Sequence, residues 1–259
     1  MSRLLGPALL AGLVVVVAGA CGCGRSPAAM VRTDARPIAD AADAPPAFCP
    51  PAATGLVDVV GTPAGPYLVH HPSAAAPRDV PTIVFVPGGP GTRATATVTF
   101  DRWLSRGAAL GDYRVVMPYA DDGDLTDERA RIVAVLDEAL ACFGGDREDV
   151  HLGGTSNGGR AAFALMLEHG DRFATLLGAP GLFPDVEDRA LAAALAGKAV
   201  WNGVGGEDAT WRPAVQAIHD RLTRLGIASV YRELPGQGHI LDERADQELF
   251  FAFWAAHHR

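Results

Sequence analysis

One glycine-rich turn constrains this chain more than any other stretch: Gly153-Gly154-Thr155-Ser156-Asn157-Gly158-Gly159. A short apolar run precedes it, and residues 160–167 follow with a composition typical of a helix. A serine at the apex of so sharp a turn must hold strained backbone angles, which persist only where neighbouring residues are small. Strand, tight turn and helix are the context that a G-x-S-x-G nucleophile elbow requires. The alternative is a glycine-rich loop with an incidental serine, so partners for Ser156 decide between the two interpretations.

Length and charge narrow the possible classes. The chain has 259 residues, enough for one α/β domain of ordinary size or two small ones. Hydrophobic residues make up 49% and charged residues 20% of it, which favours a packed core over global disorder. The net charge is −8. Because proteins that bind nucleic acid usually display a basic surface, we expect no nucleic-acid partner.

The first 20 residues read as an export signal rather than as part of the fold. A basic start is followed by an apolar core, and Ala18-Gly19-Ala20 supplies the small residues that a signal peptidase needs. Cys21 comes next, so the segment resembles a bacterial lipoprotein signal with Cys21 as the lipidated residue. A plainly cleaved secretory signal and a retained anchor are the alternatives. We expect an exported protein, either a cell-envelope lipoprotein held to the membrane by its lipid or a secreted one.

A tether and a disulfide are expected next. Residues 21–54 are rich in Pro, Ala and Asp, a composition that buries too little apolar surface to order itself. Beyond Cys21 and Cys23, only Cys49 and Cys142 remain, and two leftover cysteines in an oxidising compartment often pair. We therefore predict a Cys49–Cys142 disulfide, with two buried thiols as the alternative. The cysteines show no metal-binding spacing, and we expect no metal site.

From residue 55 onward, strand-like and helix-like segments alternate. Continuous β-branched and apolar runs predict strands at 56–60, 67–70, 82–86, 113–117, 149–152, 173–177, 199–204 and 228–234. Helices are predicted at 100–109, 124–143, 160–167, 188–196, 212–225 and 243–256. Such alternation predicts an α/β fold, with a mostly parallel central sheet and helices on both faces. Ligands of these sheets bind at the carboxyl ends of the strands, where the serine turn lies.

A second glycine loop lies at the same predicted edge. Pro87-Gly88-Gly89-Pro90-Gly91 directly follows the strand at 82–86. A phosphate-binding loop would need a lysine or a GxGxxG pattern opening a helix, and neither is present. The other interpretation is an oxyanion loop, in which glycines let a backbone N–H face a developing negative charge. Its position after a buried strand favours the second.

Partners for the serine are found among loops that follow later strands. A serine hydroxyl needs a general base, and of the eight histidines only His239 stands in a loop after the last strand. Asp208 follows the preceding strand and could orient the imidazole. Glu207 is the fallback acid, and Asp185 and Asp242 are less well placed. Helix capping is the alternative role for Asp208, although it stands far from the helix predicted at residue 212.

The order Ser156, Asp208, His239 matches that of the α/β-hydrolase superfamily. The resemblance covers residues 55–259, and the Gly88-Gly89 loop resembles its HGGG segment with Pro87 in place of the histidine. The serine turn looks most like that of small secreted esterases of the feruloyl-esterase and polyhydroxybutyrate-depolymerase type. The resemblance implies that Ser156 attacks an ester carbonyl, His239 shuttles the proton and Asp208 stabilises the imidazolium. The backbone N–H groups of Asn157 and Gly89 would hold the oxyanion.

The resemblance also implies what surrounds the site. The substrate would be a small or polymeric ester, with no cofactor required. Only a short segment separates residues 177 and 199, so we expect little or no cap domain. Two alternatives remain: a peptidase of the proline-iminopeptidase type, suggested by the GGPG loop, and a catalytically silent binding lipoprotein. The pocket walls would come from loops such as 92–99 and 179–188, and Trp201, Trp211 and Phe183 are candidate lining residues, with the core as the alternative place for such large aromatic side chains. The sequence leaves the oligomeric state and the choice of ester open.

Overall fold

The fold is seen in a computed structural model that describes residues 49–51, 53–72, 79–120 and 124–258. The predicted signal segment, Cys21 and nearly all of the predicted tether lie outside these residues. Within the described ranges, every helix falls short of the length and hydrophobicity that a membrane span needs.

A sheet of eight strands forms the centre of the molecule. Its strands are β1 (Gly55–Val59), β2 (Tyr67–His71), β3 (Thr82–Val86), β4 (Arg114–Pro118), β5 (Val150–Gly154), β6 (Thr175–Gly178), β7 (Ala199–Gly205) and β8 (Ala228–Leu234). In space the order is β1-β2-β4-β3-β5-β6-β7-β8. The first two strands form an antiparallel hairpin, and β2 also pairs antiparallel with β4. Strands β3 to β8 are parallel to one another. The predicted fold class is confirmed.

Helices cover both faces of the sheet. They are α1 (Arg93–Trp103), α2 (Arg129–Phe143), α3 (Asn157–His169), α4 (Asp188–Ala194), α5 (Arg212–Arg224) and α6 (Glu248–Ala255). Side chains of β3 alternate between the faces, as the strand period requires. Ile83 and Phe85 pack with α1 and α6, whereas Val84 and Val86 pack with α2 through α5. Between β6 and β7 the only helix is the seven-residue α4, so there is little cap.

Helix α1 begins earlier than the sequence predicts. Threonine by itself is a weak helix former, but tertiary contacts often override that propensity. We expected a loop over residues 92–99 and a helix at 100–109. Instead, Thr92 caps the helix by accepting a hydrogen bond from the backbone N–H of Thr95. Ala96, Thr99, Phe100 and Trp103 are its buried residues, at the three- and four-residue intervals of one helix face. The helix therefore forms from tertiary packing and a cap, and a short 3-10 helix, Ala108–Asp112, follows it.

Two further helices begin about five residues later than predicted, and side-chain hydrogen bonds explain both differences. Asp124, expected to open α2, instead accepts a hydrogen bond from the backbone N–H of Thr126 in a turn. Asp242, just before the predicted start of α6, is hydrogen bonded to Gln237 and Arg244 in a loop. Short polar side chains that bind nearby backbone compete in this way with helix formation.

The predicted disulfide is present. Cys49 and Cys142 are joined, with their Cα atoms 5.2 Å apart and a sequence separation of 93. Cys142 lies in the last turn of α2, so the bond fixes the chain that enters the domain to a helix end. Cross-linking so long a loop lowers the entropy of the unfolded chain, which stabilises folded small domains by about 2–5 kcal/mol.

A buried histidine at the end of β2 predicts acid sensitivity. His71 is 2% exposed and packs edge-on against Phe143. Burial, and then the positive charges of Arg114 and His70, lower the pKa of His71 from 6.5 to about 4. The folded protein therefore keeps this ring neutral while the unfolded chain protonates it below pH 6.5. Stability falls as pH falls from 6.5 towards 4, by about 2 kcal/mol at pH 5.

Replacing that ring removes the effect. We expect His71→Phe to lose less unfolding free energy between pH 7 and pH 5 than the wild type, measured by urea denaturation at both pH values. His169→Gln, at the end of α3, is the matched control and should follow the wild type. An equal pH dependence in all three proteins would contradict the assignment.

Candidate active site

Ser156 stands at the apex of the turn between β5 and α3. Its φ of 56° and ψ of −119° lie in a region that side-chain-bearing residues avoid, and it is the only non-glycine with positive φ among the described residues. Such strain persists only where the surroundings hold it in place. Hydrogen bonds do so here: the N–H of Ser156 donates to Pro180 (2.9 Å), and the N–H of Thr155 donates to Val86 (3.2 Å).

The glycines around Ser156 are sterically required. A Cβ on Gly158 would stand 2.2 Å from the carbonyl oxygen of Val86, and one on Gly154 would stand 2.4 Å from the oxygen of Gly158. A Cβ on Gly159 would stand 2.1 Å from the carbonyl oxygen of Pro180. All three contacts are with backbone, which cannot swing away as a flexible side chain could. The close packing expected of an elbow is therefore present.

Three predicted residues form one hydrogen-bonded chain. Ser156 Oγ lies 2.8 Å from Nε2 of His239, and Nδ1 of the same ring lies 2.7 Å from Oδ2 of Asp208. A carboxylate can only accept, so Nδ1 carries the proton and Nε2 accepts from the serine hydroxyl. Asp208 is buried and the His239 side chain is one-third exposed. This is the geometry that nucleophile activation requires.

The loops after β7 and β8 are joined to each other, which brings Asp208 to His239. The N–H of Gly206 donates to the carbonyl of Leu234 (2.8 Å), and the N–H of Glu207 donates to that of Gln237 (2.9 Å). A Cβ on Gly205 would stand 2.1 Å from the oxygen of Gly238, so only glycine allows this approach. The parallel pairing of the two strands thus extends into their loops.

The other candidate acids lie apart from this chain. Glu207 and Asp185 are exposed. Asp242 is bound to Arg244 and to the buried Gln237, and the hydrogen bonds from these two residues hold the pKa of Asp242 well below its usual range. The Gln237–Asp242 pair closes the loop that carries His239, because Oε1 of Gln237 also accepts from the N–H of Asp242 (2.8 Å).

The carboxylate of Asp208 has hydrogen-bond partners on both oxygens. Oδ1 accepts from the backbone N–H groups of Thr210 (3.3 Å) and Trp211 (3.1 Å), in the turn before α5, while Oδ2 faces His239. As predicted, Asp208 does not cap α5: the N-cap residue is Trp211, whose own side chain makes no capping hydrogen bond. The hydrogen bonds within the turn of residues 208–211 and the bond to the imidazole together fix the carboxylate.

The Gly88-Gly89 loop lies against the serine turn. A Cβ on Gly88 would stand 2.8 Å from the carbonyl oxygen of Thr155, and Gly89 has a φ of 60° that favours glycine. The amide of Asn157 ties the two segments together: its Nδ2 donates to the carbonyl of Gly89 (3.2 Å) and to Oδ2 of Asp124 (3.1 Å). Neither the N–H of Asn157 nor that of Gly89 donates to a backbone carbonyl of the described residues. Both remain available to an oxyanion.

Of two further neighbours of the site, sequence reasoning missed Asp124 and named Trp211 only as a possible pocket residue. Asp124 was assigned to a helix, and its contact with Asn157 has no signal in the sequence because 33 residues separate them. The Trp211 ring lies 5.0 Å from that of His239, and the guanidinium of Arg160 stands over its indole at 4.9 Å. Trp211 thus packs on the imidazole and limits its rotation. Trp201, also considered as a pocket residue, is buried in the core.

An apolar cavity of about 480 Å³ opens beside Ser156. Its walls come from the glycine loop, the serine turn, His239 and one face of α1; the α1 residues are Ala94, Thr95, Val98, Thr99, Arg102 and Trp103. The exposed apolar side chains of Val98 and Ile240 also line this cavity. We expected walls from residues 92–99 and 179–188. The first segment does contribute, but as a helix, and none of the lining residues comes from the second.

Comparisons with known proteins give a consistent picture of the fold. No protein-family model and no curated protein matches the sequence. Among solved structures, an S-formylglutathione hydrolase from Staphylococcus aureus has a TM-score of 0.57 at 18% identity, covering 79% of this chain and 98% of its own. The feruloyl esterase module from Clostridium thermocellum has a TM-score of 0.61 at 14% identity, and the match covers 83% of this chain and 90% of the module. A Bacteroides ovatus protein described as a dipeptidyl aminopeptidase IV has a TM-score of 0.62 at 16% identity, and the match covers 78% of this chain and 36% of that protein.

These neighbours share the overall fold seen here rather than close sequence similarity. Their identities to this chain lie between 14% and 18%, a level at which the likeness concerns the fold. The chain is therefore a protein of the α/β-hydrolase fold.

Proposed function

We propose that this protein is a serine hydrolase that cleaves carboxylic esters through Ser156, His239 and Asp208. The observation that carries the proposal is the hydrogen-bonded chain of these three side chains, 2.8 Å and 2.7 Å long at its two links, with its serine at a strained apex beside a cavity. Function in this fold must be argued from the site, because the same architecture supports several chemistries.

Acylation follows from the geometry. Nε2 of His239 takes the hydroxyl proton as Ser156 Oγ forms a bond to the ester carbonyl carbon. The carbonyl oxygen becomes an oxyanion, which the N–H groups of Asn157 and Gly89 stabilise. The protonated imidazole then gives its proton to the alkoxy oxygen, the C–O bond breaks, and the alcohol leaves behind an acyl-Ser156 ester. Water repeats the sequence with the same base and releases the carboxylic acid.

Asp208 and Asn157 act on this sequence in different ways. Buried Asp208 fixes the tautomer of His239 and stabilises the imidazolium that forms in each half-reaction. The side chain of Asn157 holds the carbonyl of Gly89, which fixes the Gly89–Pro90 peptide next to the N–H that would bind the oxyanion. Such preorganised donors matter because removing one oxyanion N–H costs about 10²- to 10³-fold in turnover.

The apolar cavity beside Ser156 supports a substrate with an apolar acyl or alcohol group. Most of its lining on α1 is methyl or aromatic surface, and a pocket of this kind binds short aliphatic or aromatic groups. With only the short α4 between β6 and β7, nothing in that segment covers the site. An open site admits the end of a polymer as well as a small ester.

The location of the protein is a further part of the proposal. An exported protein, anchored through Cys21 or secreted, would fold in an oxidising compartment. The Cys49–Cys142 disulfide supports this, since such bonds persist mainly outside the reducing cytosol. Cys21 itself lies outside the described residues.

A substrate series tests the proposed reaction. We expect purified protein to hydrolyse p-nitrophenyl acetate, butyrate and octanoate with saturable kinetics, and to leave proline p-nitroanilide uncleaved. The measurement is the initial rate of nitrophenol or nitroaniline release against protein concentration. Cleavage of the anilide without cleavage of any ester would replace the proposal with the peptidase alternative. No reaction with either class would favour a silent binding protein.

A further inference from the structure

A second cluster of chemically active side chains lies at the opposite edge of the sheet from Ser156. Asp149 immediately precedes β5, His151 is the second residue of that strand, and His258 follows α6 near the end of the chain. Each offers one donor atom, and these atoms all lie within 4.8 Å of one another. Asp149 and His151 are buried, whereas His258 is exposed. The proposed ester hydrolysis makes no use of any of them.

Both imidazoles converge on the one carboxylate. Oδ2 of Asp149 lies 2.6 Å from Nδ1 of His258, and Oδ1 lies 3.2 Å from Nε2 of His151. Oδ1 is buried, yet it accepts no well-formed hydrogen bond from the described residues. Tetrahedral zinc with bonds of 2.0–2.1 Å needs donor atoms about 3.3 Å apart. The two carboxylate–imidazole distances run to different oxygens of Asp149 and are near that value, and the donor atoms, one from each residue, all lie within 4.8 Å of one another. Side-chain shifts of about 1 Å would bring the three donor atoms to zinc geometry.

The far nitrogen of each imidazole is held by a hydroxyl. Nδ1 of His151 lies 3.0 Å from Oγ1 of Thr175, and Nε2 of His258 lies 3.0 Å from the hydroxyl of Tyr113. Metal-binding histidines almost always donate their second N–H to such an outer partner, which fixes the tautomer and the ring orientation.

We propose that Asp149, His151 and His258 form a binding site for a divalent transition metal of the zinc type. Two imidazole nitrogens and one carboxylate oxygen are ligands that zinc prefers over magnesium or calcium, and a water molecule would complete four-coordination. Upon binding, the metal takes the place of the proton that Asp149 and His258 now share. Sequence reasoning found no metal spacing because these ligands span 109 residues.

An open cleft beside His258 would let a metal ion reach the site from solvent. This cleft, which His258 helps to line, has a volume of about 710 Å³ and is formed by the loops between α4 and β7 and between α5 and β8. The site would link the end of the chain to the start of the central strand β5. Because β5 carries Ser156 at its other end, the metal would stabilise the strand without entering the proposed reaction.

Metal binding is testable on the purified, tag-free protein. After treatment with EDTA and its removal, we expect equilibrium dialysis with elemental analysis to find one zinc per chain. Zinc at a hundredfold excess over its Kd should raise Tm by about 5–10 °C, and magnesium should not shift it. His258→Ala should weaken zinc binding at least tenfold and remove the shift in Tm, as the loss of one of three ligands requires.

Matched variants keep the test decisive. His257→Ala, at the neighbouring position, should bind zinc as the wild type does, because its Nδ1 is bonded to the carbonyl of Phe253. Asp149→Asn gives a second ligand variant if folding of the first is in doubt. Wild-type protein that takes up no stoichiometric zinc would overturn the proposal, as would His258→Ala protein that binds zinc with unchanged affinity. Either result would mean that Asp149, His151 and His258 form a hydrogen-bonded cluster without a metal.

Discussion

Replacing Ser156 by alanine should lower kcat for p-nitrophenyl esters by about 10⁴- to 10⁶-fold, because the variant has no hydroxyl to form the acyl-enzyme. What remains should come from the oxyanion donors and from substrate binding. Both residues carry a Cβ, so the strain at a φ of 56° is the same and Tm should change little. Initial rates and a thermal melt measure the two effects together.

Ser105→Ala is the matched control. Ser105 lies on the surface just after α1, and its hydroxyl donates to the carbonyl of Asp101. We expect wild-type rates from this variant. Ser156→Ala protein that is folded and retains more than about a tenth of the activity would contradict nucleophilic catalysis by this serine.

Asp208→Asn should lower kcat by about 10⁴-fold while preserving the fold. The amide oxygen can still accept from the N–H of Trp211, so the turn before α5 keeps this hydrogen bond. The amide nitrogen, however, can only donate to Nδ1 of His239, which moves the ring proton to Nε2. In that tautomer the imidazole cannot take the proton of Ser156. The measurement is kcat beside the Tm of the same preparation.

Glu207→Gln separates the two neighbouring acids. Glu207 is exposed, while Asp208 is buried and bonded to the imidazole. We therefore expect the Glu207 variant to keep wild-type kinetics. Loss of activity in Glu207→Gln together with retention in Asp208→Asn would show that the fallback acid is the one in use.

The strands could be predicted because their signals are local. Runs such as 82–86 are apolar and β-branched throughout, as strands buried on both faces must be, and the structure has this strand at the predicted bounds. Loops that follow parallel strands meet at one edge, so the order of Ser156, Asp208 and His239 along the chain was enough to expect their convergence. That inference needed topology but no distances.

What could not be predicted depends on contacts between distant segments. Helix α1 begins at its threonine cap because its buried face packs on β3 and β4, which propensity alone does not reveal. The bond between Asp124 and Asn157 links two turns 33 residues apart. Asp149 and His258 meet only because α6 returns the end of the chain to the start of β5. Each is a consequence of the folded sheet rather than of a local pattern.

The central claim is that Ser156 is an activated nucleophile, and an active-site-directed fluorophosphonate tests it most directly. We predict one adduct per chain, found by tandem mass spectrometry in the tryptic peptide of residues 148–160, with the phosphonate on Ser156. His239→Ala should slow its formation by orders of magnitude, because the hydroxyl loses its base. Folded wild-type protein that forms no adduct, or forms it on another residue, would contradict the account.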